Sequence, residues 1–115
     1  MGFTIVQNIE ILEGIELSNI YATISGWYQI NKRDIFDNNH NKIDYQYIII
    51  AGCNLYKNKT SYIQGKDALV NDINVNIENL NTNDISTEVH NKIYNALKNN
   101  IMEIYNNDNL TFIDE

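Results

Sequence analysis

The stretch YQYIIIAGCNLY, residues 45–56, decides the fold, because it is the most apolar segment of the 115-residue chain. A strand that is covered on both faces has a nearly continuous apolar sequence, whereas a half-buried strand alternates. The apolar run is also too short to cross a bilayer as a helix. We therefore predict that residues 45–56 form a central strand of a sheet.

Two alternating segments precede this central strand. Residues 3–11 alternate apolar and polar side chains, and residues 15–30 continue the alternation after a turn at Glu13-Gly14. Gly26 interrupts the second segment, which predicts a bulge or bend there. Residues 31–44 are polar and too numerous for a tight hairpin, so we predict a loop before the central strand.

Shorter segments follow the central strand. Asn58-Lys59 predicts a hairpin tip that returns through a short strand at residues 60–64. Alternation predicts another strand at residues 72–78, and residues 110–113 can add a short edge strand. These segments extend the same antiparallel pattern.

The C-terminal region is typical of an amphipathic helix over residues 84–105. Asn83 or Asp84 can cap its start, because a short side-chain oxygen accepts an unpaired N–H of the first turn. Its apolar side chains recur every three or four residues: Ile85, Val89, Ile93, Leu97, Ile101 and Ile104. Together these elements predict one α+β domain over residues 1–115. We expect a twisted antiparallel sheet of four to six strands packed by one C-terminal amphipathic helix.

Charge excludes two classes of partner. The net charge is −7, with 8 basic and 15 acidic residues. Binding to nucleic acid or to anionic lipid depends on clustered Lys and Arg. We expect no direct nucleic acid partner, no membrane and no small-molecule substrate.

Catalytic and metal-binding patterns fail when their spacing is tested. Asp37, Asn39 and Asn41 alternate like the first ligands of a calcium loop, but the later glycine and glutamate positions are not matched. His40 and His90 have no ligand or catalytic partner at a suitable spacing. Cys53, the one cysteine, lies in the apolar run and is typical of a buried core residue. We predict no catalytic residue, no metal, no cofactor and no enzymatic activity.

Aromatic side chains give the one physical indication of function. Eight tyrosines and one tryptophan occur in the chain, and β-propensity together with biased codon usage accounts for many of them. Alternatively, Tyr and Trp form protein interfaces, because they bury much area and keep a polar tip. The candidate interface residues, together with the apolar pair of the predicted loop, are Tyr21, Trp27, Tyr28, Ile35, Phe36, Tyr45, Tyr47, Tyr56 and Tyr62.

The order of segments resembles that of small virion-associated structural proteins of tailed bacteriophages. The similar segments are the turn and strand GIELSNIYATI at 14–24, the polar loop 31–43, the strand 45–50, the helix core IYNALK at 93–98 and the acidic end FIDE at 112–115. The resemblance implies a non-enzymatic component of a virus particle, from the tail or neck rather than the shell. Its partners would be other copies of itself and other virion proteins, and it would be made in the host cytoplasm. The alternative is a small acidic adaptor or inhibitor that binds a basic host protein.

Overall fold

The computed structural model describes residues 2–114 and has the α+β class predicted from the sequence. Five strands form an antiparallel sheet in the order β6-β5-β4-β1-β7, and β2 and β3 form a separate two-stranded hairpin. In chain order the elements are β1 (Gly2–Ile5), β2 (Ile9–Leu12), β3 (Ile15–Leu17), β4 (Ile20–Phe36), β5 (Lys42–Tyr56), α1 (Lys59–Ile63), β6 (Val70–Leu80), α2 (Thr82–Ser86), α3 (Val89–Ile104) and β7 (Phe112–Asp114).

The long hairpin of β4 and β5 forms the centre of the sheet. The two strands pair from Tyr21 opposite Tyr56 to Phe36 opposite Lys42. Their register shifts between Ile24 and Tyr28, and Gly26 within that interval has a φ of 102°, which only glycine adopts without strain. The bulge predicted at Gly26 is therefore confirmed.

The hydrophobic core combines side chains of the sheet with side chains of α3. Ile93, Leu97 and Ile101 point from the helix into this core at the expected helical spacing, and each is fully buried. The fully buried sheet residues of the same core are Phe3, Ile5, Ile20, Ala22, Ile49, Ala51, Cys53, Leu55 and Val75. Burial of these side chains is the main stabilising term of the fold.

The first two predicted strands are each divided in two. Residues 3–11 form β1 and β2 because Gln7 leaves the strand path and its side chain bonds to Thr111, accepting from the Thr111 N–H at 2.7 Å. Residues 15–30 are divided at Ser18 and Asn19, where Asn19 has a φ of 59°. Asparagine tolerates this left-handed conformation, so a sharp turn replaces the predicted continuous strand.

The predicted loop at residues 31–44 is also wrong. Residues 31–36 continue β4, residues 42–44 begin β5, and only residues 37–41 form a turn. The side chains are polar because both faces of this part of the hairpin are largely exposed to water, not because the backbone is irregular.

The remaining corrections concern the helices. Residues 60–64 lie mostly in α1 rather than in a strand, because the Asn58 side chain accepts the N–H of Ser61 at 2.7 Å and caps a helix start. The predicted helix 84–105 is broken at Thr87 and Glu88, which separate α2 from α3. The cap of α2 is Asn81, whose side chain bonds reciprocally with Asp84.

Candidate interaction surface

The outer part of the central hairpin extends beyond the rest of the sheet. We call residues 32–47 the arm. β1 pairs only with residues 20–23 of β4, and β6 reaches no farther along β5 than Tyr47 opposite Leu80. Beyond that pair the arm is a two-stranded ribbon, which gives the molecule its elongated dimensions of 54 × 28 × 21 Å.

The tip of the arm is closed by Asp37. Its Oδ1 atom accepts the N–H of Asn39 at 2.8 Å and the N–H of Asn41 at 2.9 Å. His40 adopts a φ of 63° to complete the turn. The alternating oxygen-bearing residues at the tip therefore serve backbone geometry, with the Asp37 carboxylate acting as the acceptor that fixes the turn.

One face of the arm combines cations with aromatic rings. The Lys32 ammonium lies 4.5 Å from the centre of the Tyr45 ring, and Lys42 lies 5.5 Å from the same ring. Lys42 also pairs with Asp34 at 3.2 Å, and the rings of Tyr45 and Tyr47 meet edge to face at 5.7 Å. These contacts hold an exposed ribbon in one conformation by cation–π attraction and aromatic packing.

The tip carries apolar side chains that the protein itself does not cover. Phe36 is 56% exposed and Ile43 is 64% exposed. No residue between 32 and 47 belongs to the core or to the apolar side chains packed against it. The tip of the arm therefore leaves two apolar side chains in contact with water.

The arm is anchored at its base by two packing contacts. The Trp27 indole lies over Gly52, where an added Cβ atom would come within 2.7 Å of three indole atoms. Tyr28 packs edge-on against His90 of α3, with ring centres 5.5 Å apart. In addition, the Tyr45 hydroxyl forms a hydrogen bond with Thr82 Oγ1 of α2 at 3.4 Å. The arm is thus an ordered extension of the sheet.

A depression of about 330 Å³ lies beside this base, between β4 and the start of α3. The Tyr94 hydroxyl bonds with the Thr23 hydroxyl at 3.2 Å, and His90 is held by its contact with Tyr28. Both polar groups therefore take part in packing contacts between the helix and the sheet.

The structure separates the nine predicted interface residues into two groups. Ile35, Phe36, Tyr45 and Tyr47 lie on the arm, and Trp27 and Tyr28 lie at its base. The second group, Tyr21, Tyr56 and Tyr62, packs around α1 with ring centres 5.1–5.2 Å apart.

Of the nine residues, Tyr21 offers almost no surface to a partner, because only 1% of it is exposed. Sequence reasoning also missed Ile43, which stands in the polar segment Asn41–Asp44 as an isolated apolar residue. A lone apolar residue beside a turn is the signal that could have identified it.

The thiol of Cys53 lies in the core with no exposed surface. Burial raises its pKa from 9.0 to about 11, so the thiol stays protonated at neutral pH. Burial likewise raises the pKa of the Tyr105 phenol. A protonated, buried thiol is a packing group and a poor nucleophile.

None of the helices within residues 2–114 has the length and apolar character needed to cross a bilayer. In the same range no three His, Cys, Asp or Glu side chains are grouped closely enough to hold a metal ion.

Comparison with known proteins returned no matching family model, no matching curated protein and no matching solved structure.

Proposed function

We propose that this chain is a non-enzymatic structural component of a virus particle, from the tail or neck rather than the shell. The observation that carries the proposal is the arm, an ordered two-stranded ribbon whose tip exposes Phe36 and Ile43. In this role the twisted sheet packed by α3 is the rigid body that presents the arm to a neighbouring subunit. The resemblance of the sequence to phage virion proteins supports the same role.

The exposed tip supports assembly on energetic grounds. Complete burial of a Phe or Ile side chain contributes about 1.5–3 kcal/mol. Since roughly half of each side chain is still exposed, covering both contributes on the order of 2 kcal/mol. In a particle with many copies this gain repeats at every contact, so a modest single interface is sufficient.

An unpaired strand edge offers a second contact. β1 pairs with β4 only as far as Thr23, and the edge of β4 beyond Thr23 has no strand partner among residues 2–114. Exposed edges present N–H and C=O groups to which another strand can add. Sheet edges and aromatic surfaces together are the assembly contacts that we propose.

The test is incorporation into particles made in the producing cells. An epitope-tagged full chain should copurify with particles through a density gradient and be detected by mass spectrometry. A variant in which Asn-Gly replaces residues 32–47 should fold, because the arm is outside the core, yet be depleted from particles. The variant Lys57→Ala, which alters an exposed residue outside the arm, is the control and should incorporate normally.

Complete absence of the full chain from particles contradicts the proposal. If the chain is absent from particles and is a monomer that captures one host protein in equal amounts, the adaptor function replaces the structural function.

A further inference from the structure

The charge of the chain is distributed unevenly between its parts. The arm contains three cations, Lys32, Arg33 and Lys42, and three carboxylates, so its net charge is zero. The rest of the chain therefore carries the whole net charge of −7. Two such molecules repel each other through their bodies, but the arm can approach an acidic surface without this repulsion.

The carboxylates of the arm are already engaged by local groups, whereas its arginine is not. Their partners are Lys42 for Asp34, the N–H groups of Asn39 and Asn41 for Asp37, and the N–H of Tyr45 for Asp44. Arg33 is exposed and forms no ion pair with any residue in the range 2–114. Lys42 stands opposite Phe36 in the register, so a cation lies beside the apolar side chains of the tip, whereas Arg33 points from the other face of the ribbon.

The hairpin of β2 and β3 has the complementary character. Residues 9–17 contain three glutamates and no cation. Leu12 is 46% exposed and Ile15 is 47% exposed, on either side of the turn, while Glu13 and Glu16 are exposed beside them. Apolar side chains rimmed by carboxylates suit a partner that has apolar side chains rimmed by cations.

The arm and this hairpin lie at opposite ends of the molecule. β3 ends at Leu17, β4 begins at Ile20, and β4 then runs 17 residues to Phe36 at the tip of the arm. A strand of that length spans roughly 50 Å, close to the longest dimension of 54 Å. The arm of one molecule consequently reaches the hairpin of another molecule and not its own.

We propose that the arm of one copy docks onto the β2–β3 hairpin of the next copy. Phe36 and Ile43 lie against Leu12 and Ile15, and Lys42, which stands opposite Phe36 on the arm, faces Glu13 and Glu16. This contact deepens the proposed building-block function and rests on it. Because it joins two different surfaces, its head-to-tail repetition produces a ring or a filament.

The end of the molecule that carries the β2–β3 hairpin has a second exposed face, around α1. Its charges disfavour docking of the arm there. α1 packs against the opposite face of the sheet, where Tyr62 contacts Tyr21. Lys57, Lys59 and Lys66 lie within or beside α1 and would repel the cations of the arm. The β2–β3 hairpin is therefore the favoured receptor.

A mixing experiment on the purified full chain tests the contact. The arm variant is Lys42→Glu with Ile43→Ser, and the hairpin variant is Ile15→Ser with Glu16→Lys. Light scattering over a concentration range up to millimolar should show concentration-dependent oligomers for the unmodified chain. Each variant alone should associate at least about tenfold more weakly. An equimolar mixture should form a one-to-one dimer of twice the 13.4 kDa chain mass and nothing larger, because only one intact interface remains.

Matched controls change the same residue types at exposed sites elsewhere. Lys57→Glu with Ile63→Ser matches the arm variant, and Glu78→Lys with Ile113→Ser matches the hairpin variant. Both controls should assemble as the unmodified chain does, and circular dichroism should show that all four variants are folded.

Three results would each overturn the contact. The unmodified chain is monomeric at millimolar concentration, the variants associate as strongly as their controls, or the mixture remains monomeric. A chain that is present in particles but fails the mixing test keeps the structural function and loses this contact.

Discussion

Replacing Gly52 by alanine tests whether Trp27 anchors the base of the arm. A methyl group at this position would lie 2.7 Å from Cε2, Cζ2 and Nε1 of the indole, whereas ordinary contact begins near 3.4 Å. The indole must therefore retreat by at least about 0.7 Å, and overpacking of this kind costs about 1–3 kcal/mol. Gly52 has no left-handed backbone conformation, so alanine itself recovers about 0.5–1 kcal/mol in a strand. We expect a net loss of about 1–2 kcal/mol, or roughly 4–8 °C in Tm.

The assay uses the one tryptophan of the chain as its own reporter. Emission excited beyond the tyrosine absorption band should shift to longer wavelength in Gly52→Ala, because the displaced indole gains contact with water. Urea unfolding followed by circular dichroism gives the free energy of unfolding. In a Trp27→Ala background the same Gly52→Ala change should stabilise the protein by about 0.5–1 kcal/mol, because the clash is gone. An equal loss in both backgrounds, or unchanged emission with unchanged stability, would refute the anchoring role of Trp27.

Three other predictions concern the core, a helix start and the tip of the arm. Burial raises the pKa of the Cys53 thiol from 9.0 to about 11, so the thiol ionises first in the unfolded state as the pH rises. The stability that the protonated thiol contributes is therefore fully present below pH 9 and is lost as the pH rises towards 11. Urea titrations should show a loss on the order of 2 kcal/mol that Cys53→Ala abolishes; an identical pH slope in that variant would assign the loss to another group. Asn58→Ala should cost about 1 kcal/mol by removing the cap of α1, while Asn58→Asp retains stability; equal losses in the two would exclude capping. Phe36→Ser with Ile43→Ser should leave the thermal unfolding of the monomer within about 0.5 kcal/mol, since both side chains are exposed; a larger loss would show that the tip supports the fold.

Periodicity predicted the parts of the fold that bury one face. The stripe of Ile93, Leu97 and Ile101 follows from it, since burial selects apolar residues at the period of the backbone. The strand at residues 45–56 followed instead from its nearly continuous apolar sequence. The same reasoning failed at residues 31–36 and 42–44, where the strands are exposed and no apolar face marks them. A polar sequence cannot distinguish an exposed ribbon from a loop, because the pairing of distant residues decides between them.

The sequence pattern did not reveal two other local features, the break between α2 and α3 and the short helix α1. The stripe passes from Ile85 to Val89 at the correct interval, so the break between α2 and α3 leaves no mark in the period. α1 is only five residues long and offers too few positions for any period to appear. Its cap, Asn58, is one of many asparagines and looks equally like a turn residue. For the candidate surface, composition identified the aromatic residues, but only the register showed which of them share the arm.

The absence of residues 32–47 from the core has a consequence for how the chain can change. Substitutions in the body are constrained by folding, whereas substitutions on the arm would be constrained only by the partner that we propose for it. The choice of partner can therefore diverge rapidly while the scaffold is conserved. For a protein engineer the arm is a cassette: another sequence with the same strand pairing can be grafted between Asn31 and Ile48 to give the scaffold a new specificity.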